Sequence, residues 1–282
     1  MDEKKKQLPA LVTGASSGIG KAIALKLIQA GIPTWASARR LETLQELKEA
    51  GCRVIQLDVT DEESRKNAVA EIEKEHGAIG YLINNAGYEQ TGPVEEVSLD
   101  AARAQFEVNV FGLMRMTQLV LPGMRDKGFG RIINISSIGT LFSAPMVGVY
   151  HATKYAVEAL SDSLRMEVRP FGIDVIDIQP PGVRTRFIST GNDLLPKTGD
   201  NSPYAEGKAA FEEKTKKMTS DLIEPEDVAE KVLRAVQDKR PRPAYKVGFV
   251  TQLTNMMRRF MPKRSFDSLV ERKFRDCVPK QA

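Results

Sequence analysis

From residue 10 onward, short apolar runs rich in β-branched residues alternate with longer stretches of helical periodicity, and few folds accept that pattern. ALVTG, PTWASA, RVIQLDV, YLINNAG, RIINISS and IDVIDIQPPG read as strands. Between them, KAIALKLIQAG closed by Gly31, LETLQELKEAG closed by Gly51, and DEESRKNAVAEIEKEHG with acidic residues in its first turn read as helices. Two longer helical patterns cover 98–125 and 149–169. Continuous Ile/Val-rich strands are buried on both faces, so helices must cover a parallel sheet on both sides. Right-handed crossovers then predict an α/β doubly wound parallel sheet of about seven strands, with a ligand at the carboxyl ends of the strands.

The alternation breaks after Gly182. A polar stretch, 187–224, reads as an excursion of loop and short helices, EPEDVAEKVLRAVQDK resumes as a helix, and 249–282 forms a basic amphipathic extension with helices near 251–260 and 265–274. One domain is expected across 1–282. Of the net charge of +4, the stretch from Met256 to Ala282 carries +5: Arg258, Arg259, Lys263, Arg264, Arg272, Lys273, Arg275 and Lys280 against Asp267, Glu271 and Asp276. The rest of the chain is close to neutral, which argues against a nucleic-acid partner. No apolar run is long enough to span a bilayer, and MDEKKKQLPA has no apolar segment after it, so neither membrane span nor secretory signal is expected. Cys52 and Cys277, far apart, fit a reducing, cytoplasmic setting.

TGASSGIG lies between the first strand and first helix. Glycines let the backbone approach a phosphate without a Cβ clash, and the helix N-terminus supplies N–H groups and positive potential. Gly14, Ser16, Ser17, Gly18, Ile19 and Gly20 are therefore candidate phosphate contacts. The spacing, Gly-x3-Gly-x-Gly, resembles the first turn of the short-chain dehydrogenase/reductase family, which implies a Rossmann-type fold and a nicotinamide cofactor. At the end of the second strand, where an acid would bind the ribose hydroxyls of NAD, this chain has Ala38, Arg39 and Arg40. A guanidinium suits a 2′-phosphate, so NADP(H) is expected, held by Arg39 first and Arg40 beside it. The resemblance also implies cofactor contacts at Asp58 and Val59 in LDVT, at Asn85, Ala86 and Gly87 in LINNAG, and at Pro181, Gly182, Val183 and Thr185 in QPPGVRT.

Carbonyl reduction needs a proton donor beside the nicotinamide. A tyrosine can serve when a lysine at i+4 shares its helix face and favours the phenolate. Tyr150 and Lys154 in YHATK have this spacing, and so do Tyr204 and Lys208 in YAEGK. Only the first pair follows a strand end carrying serines, Ser136 and Ser137 in INISS; Tyr204 and Lys208 are read as incidental on a mobile segment. The family resemblance implies Ser137 as the serine that bonds the substrate oxygen, with Ser136 as alternate because adjacent strand residues face opposite ways. It implies Asn109 in FEVNVFG as holding a water that relays protons to Lys154, and both Tyr150 and Lys154 as touching the cofactor.

His76 and His151 are the only histidines, too few for a zinc site or a Ser-His-Asp triad, and no metal is expected. His151 is assigned no role, and Cys52 reads as a small buried hydrophobe. The substrate pocket is expected from 138–147, Pro181 to Thr185 and the 187–224 excursion, with Leu141, Phe142, Met146 and Val147 favouring a lipophilic carbonyl or alcohol. The phenylalanine-bearing helix 101–116 reads as core or subunit contact. The pattern resembles the branch with hydroxysteroid and retinol dehydrogenases and acyl-dihydroxyacetone-phosphate reductases, and implies a homodimer or homotetramer. A 3-oxoacyl-thioester reductase and a non-catalytic NADP(H)-sensing protein are the alternatives. The basic tail, solvated or against a subunit, could also touch a membrane surface peripherally.

Overall fold

The computed structural model describes residues 8–197, 202–218 and 222–279; Lys280 of the basic tail and parts of the 187–224 excursion lie outside the described residues. Seven strands form one parallel sheet: β1 (Ala10–Val12), β2 (Thr34–Ala38), β3 (Arg53–Gln56), β4 (Tyr81–Asn84), β5 (Gly130–Ile135), β6 (Ile173–Gln179) and β7 (Ala244–Lys246). Their order is β3-β2-β1-β4-β5-β6-β7. This is the doubly wound, Rossmann-type sheet expected from the alternation. The direction reverses between β1 and β4, so the turns after those two strands border a crevice.

Alternate residues of each strand feed opposite cores, because successive side chains leave a strand on opposite faces. Val12, Ile83, Ile133 and Ile176 pack against α1 (Gly18–Gln29), α2 (Gln45–Glu49) and, further along the chain, the helix Pro225–Gln237. Leu11, Leu82, Ile132 and Val175 pack against α3 (Glu62–His76) and the helix Leu113–Asp126. Side-chain bonds tie the middle strands. Asn84 Nδ2 donates to Asn134 Oδ1 at 2.9 Å, Asn134 Nδ2 to Ser161 Oγ at 2.9 Å, and Ser161 Oγ to Asp177 Oδ1 at 2.7 Å. Arg131, 4% exposed, reaches from β5 to the last carbonyls of the helix Pro225–Gln237: Ala235 O at 2.5 Å, Val236 O at 2.6 Å and Asp238 O at 2.6 Å.

The long helix expected over 98–125 runs without a break from Leu99 to Asp126 but widens in its middle. It runs as α4 (Leu99–Phe106), a π-helical turn (Glu107–Gly112) and α5 (Leu113–Asp126). A Cβ on Gly112 would come within 2.7 Å of Val59 O, so the helix passes against the segment after β3 there. Then come α6 (Gly148–Val168), α7 (Phe187–Asp193), α8 (Ala205–Lys217), α9 (Pro225–Gln237), α10 (Gly248–Phe260) and α11 (Lys263–Lys273). The last segment is not a solvated tail: Phe266 and Cys277 are buried, and Cys277 joins Ala144, Met146, Val147 and Phe211 in a third apolar cluster. Among the described residues, no helix is long and apolar enough to cross a membrane.

Candidate active site

At the carboxyl ends of the strands lies a cleft of about 1080 Å³. Every expected cofactor-binding or catalytic residue lines it except Arg40 and Asn109. The glycine turn is built for close approach. Gly14 has φ +66°, and a Cβ there would come within 2.8 Å of Ala86 Cα. A Cβ on Gly20 would strike Gly14 O at 2.5 Å and the Asn85 amide. Asn85 braces this turn: its Nδ2 donates to Thr13 O at 2.9 Å and Gly14 O at 3.0 Å. Ser17 starts α1 without a side-chain cap, and no acid sits in the first turn. The positive end of α1 is therefore open to an anion in the cleft, and these residues fit a dinucleotide pyrophosphate.

At one end of the cleft stand Arg39 and Asp58. Arg39 lines it, whereas Arg40 does not, its Nε standing 3.8 Å from Glu42. Burial pushes the Asp58 carboxyl up, but the Thr60 N–H at 2.9 Å, the Thr60 hydroxyl at 2.7 Å and the charges of Arg39 and Arg65 bring it below its ordinary value. Both bonds fall on Oδ1.

At the middle, Tyr150, Lys154 and Ser137 converge. Tyr150 and Lys154 share one face of α6, and the Lys154 Nζ lies 5.7 Å from the Tyr150 ring centre. Burial pushes the Tyr150 phenol far above its ordinary value, the Glu89 charge adds to that, and a hydrogen bond with Ser137 works against it. Burial also lowers Lys154 to about 8, opposed by the charge of Asp177. The sequence argument has Lys154 favouring the phenolate; in the protein alone, desolvation outweighs that effect. Lys154 Nζ donates to Ile135 O at 2.8 Å, which fixes its place on the floor of the cleft.

The two serines separate. Ser137 Oγ accepts the Gly139 N–H at 2.9 Å and bonds Tyr150, while the buried Ser136 Oγ has no partner. Asn109 sits in the π-helical turn with its side chain fully engaged. Its Oδ1 accepts from Tyr88 N at 3.1 Å, and its Nδ2 donates to Tyr88 O at 2.9 Å and Thr153 Oγ1 at 3.2 Å. The side chain therefore clamps the segment after β4 to α6.

The other end of the cleft is walled by Phe142, Ala144, Val147, Phe187, Phe211, Met218 and Phe274. Two expected wall residues lie elsewhere: Met146 is buried in the third cluster and Leu141 lines a separate cavity with Arg258 and Phe266. Met146 adopts φ 69°, unusual for a side-chain-bearing residue. Helix 101–116 does reach the cleft, through Ala104, Glu107 and Val108.

His151 and Glu89 are among the cleft residues to which sequence reasoning gave no role. His151 lines the cleft, its ring 5.7 Å from Phe142, and burial lowers it to about 4, so it is neutral near pH 7. Glu89 lines it too. Only its place two residues beyond LINNAG could have drawn attention to it. Tyr204 and Lys208 stay outside, bonded to Glu95 at 2.6 Å and to Glu96 at 2.8 Å. Their spacing serves an ordered contact between α8 and the segment before α4.

The short chain dehydrogenase model matches residues 9–193. The chain belongs to that family. A probable short-chain type dehydrogenase/reductase of Helicobacter pylori is 32% identical over 260 residues, covering 92% of this chain and 95% of its own. The 3-ketodihydrosphingosine reductase of Bacteroides thetaiotaomicron is 35% identical over 244 residues, covering 86% and 88%. Among solved structures, the closed form of a serine dehydrogenase complexed with NADP+ is 33% identical, covers 87% of this chain and 96% of its own, and superposes with a TM-score of 0.75. As a short-chain dehydrogenase, the chain is an oxidoreductase with a small-molecule substrate and a nicotinamide cofactor.

Proposed function

We propose that this short-chain dehydrogenase is an NADP(H)-dependent reductase of lipophilic carbonyls, with the corresponding secondary alcohols as reverse substrates. The observation that carries it is the convergence of Tyr150, Ser137 and Lys154 midway between Arg39 and an apolar wall. Bound NADPH would supply the hydride, its phosphates held at the glycine turn and its 2′-phosphate by Arg39. Ser137 Oγ takes the Gly139 N–H, and its own hydrogen, turned to Tyr150 in the protein alone, would turn to the substrate oxygen, where charge develops. Tyr150 gives that oxygen its proton. Lys154, fixed by Ile135 O, steadies the tyrosinate that remains. Because the Asn109 side chain is engaged, any relay water would be held by its backbone carbonyl in the π-helical turn.

The absence of an acid at the end of β2 and the NADP+ complex of a relative support NADP(H) over NAD(H). The apolar wall, with the 3-ketodihydrosphingosine reductase among relatives, supports a lipid-like substrate. Exposed Phe111, Met114, Tyr155 and Leu160 support a homo-oligomer, read out as mass by light scattering. Phe249, Leu253, Met256 and Phe260 are exposed along α10 beside Arg258 and Arg259, which supports cytoplasmic protein touching an anionic membrane. Vesicle co-sedimentation unaffected by Phe249→Ser with Phe260→Ser would refute that contact. The reaction itself is tested by following NADPH oxidation with steroid, retinoid, acyl and aromatic carbonyls. Turnover by the wild type and not by Tyr150→Phe is expected; equal rates would refute the assignment.

A further inference from the structure

Glu89 lines the cleft but takes no part in the reaction above. It follows the turn Asn85-Ala86-Gly87-Tyr88, and its carboxylate lines the cleft. Helix α7 closes over it: a Cβ on Gly191 would come within 3.4 Å of Glu89 Oε2 and 3.3 Å of its carbonyl oxygen. Thr91 Oγ1, bonded to Gly191 O at 2.5 Å, holds that helix in place. The Glu89 charge reaches the Tyr150 phenol, so the two groups face the same space.

The carboxylate makes no hydrogen bond or ion pair among the described residues. The cations that share the cleft are occupied or remote. Lys154 is bonded to Ile135 O, Lys214 donates to the Lys273 carbonyl, and Arg186 is exposed at the rim. A half-buried carboxylate lacking a partner is costly to keep charged, and desolvation pushes this one up to about 7. The cost turns into binding energy when a ligand brings a cation to it. A neutral ligand gains much less from the same group and leaves its charge uncompensated beside Tyr150.

We infer that Glu89 selects substrates bearing an amine close to the reacting carbon, its carboxylate holding the ammonium while Tyr150 and Ser137 address the oxygen. The preferred substrates are then amino ketones and vicinal amino alcohols with an apolar chain lying along Phe142, Phe187 and Phe211. The ammonium also cancels the negative charge that disfavours the Tyr150 phenolate, so recognition and proton transfer are coupled through one group. This inference deepens the reductase reading and rests on it for the placement of the substrate.

The test is calorimetric binding to the NADPH-loaded protein, in which an alcohol cannot be oxidised, of a long-chain vicinal amino alcohol and of the same alcohol lacking the amine. Wild type should bind the amino alcohol at least about tenfold more tightly, as expected for a hydrogen bond to a charged group. In Glu89→Gln, which keeps the shape and whose fold is verified by NADPH binding, the ratio should fall to near one. Equal affinities in wild type, or a preference that survives in Glu89→Gln, would overturn the inference. Because binding is read without turnover, the outcomes separate: amine preference with no NADP+-dependent oxidation of either alcohol would remove the reductase reading and keep the recognition.

Discussion

Replacing Arg39 by alanine should change which cofactor the enzyme uses more than how fast it works. Arg39 lines the cleft, and among the described residues no ion pair holds its guanidinium; its charge is felt at Asp58. A charge-assisted bond from such a group to a phosphate contributes about 2 kcal/mol, at the lower middle of the range because Arg39 is exposed and screened. That corresponds to roughly thirtyfold in kcat/KM for NADPH. NADH, lacking the 2′-phosphate, should lose less than about threefold, so the NADPH/NADH ratio falls about tenfold or more. Steady-state kinetics with both cofactors at low and high salt would measure this, and the loss should shrink as salt rises. Arg40→Ala serves as comparison, because Arg40 sits outside the cleft near Glu42. Equal losses for both cofactors, or a larger NADPH effect in Arg40→Ala, would refute the assignment of the 2′-phosphate to Arg39.

Tyr150→Phe should lower kcat by about 10² to 10⁴ while NADPH binding, followed by fluorescence, stays near wild type; a drop under about tenfold would mean another group supplies the proton. Arg131→Met should cost about 2 to 4 kcal/mol in urea unfolding, since three carbonyls at the end of α9 lose their buried donor; a cost under about 1 kcal/mol would contradict that. Burial raises Asp177 to about 7, with the Ser161 bond and Arg165 opposing the shift. Its folded-state pKa lies above the unfolded value, so its contribution is fully present below about pH 4 and is lost as pH rises through about 7. Wild type should therefore lose stability relative to Asp177→Asn between about pH 4 and about pH 8 in parallel denaturation series. A constant difference would show that Asp177 titrates normally.

Much of the fold follows from local pattern. Strands with no polar alternation must be covered on both sides, and a glycine turn between strand and helix must sit at the carboxyl edge. Tyr150 and Lys154 share a helix face at any i+4 spacing, whatever the rest of the chain does. The same rule also brought up Tyr204 and Lys208, and it alone cannot tell a cleft from an ion-paired surface. What separates the two pairs is a neighbour more than ten residues away along the chain: Ser137 for Tyr150, and Glu95 for Tyr204.

The sequence by itself thus determined the doubly wound sheet, the phosphate turn and the Tyr150/Lys154 pair, because each depends on periodicity or spacing within one or two elements. Tertiary structure decided that Arg39 and not Arg40 faces the cleft, that Asn109 is a clamp in a π-helical turn, and that Glu89 and His151 line the cleft. It also folded the basic tail back, with Phe274 in the wall and Cys277 in the core beneath it. These depend on contacts between distant segments, such as Gln90 Nε2 donating to Leu194 O at 2.8 Å. The reversal of burial over lysine at Tyr150 has the same origin. Spacing places a charge near a phenol, but only the packed walls determine how much water remains to solvate the phenolate.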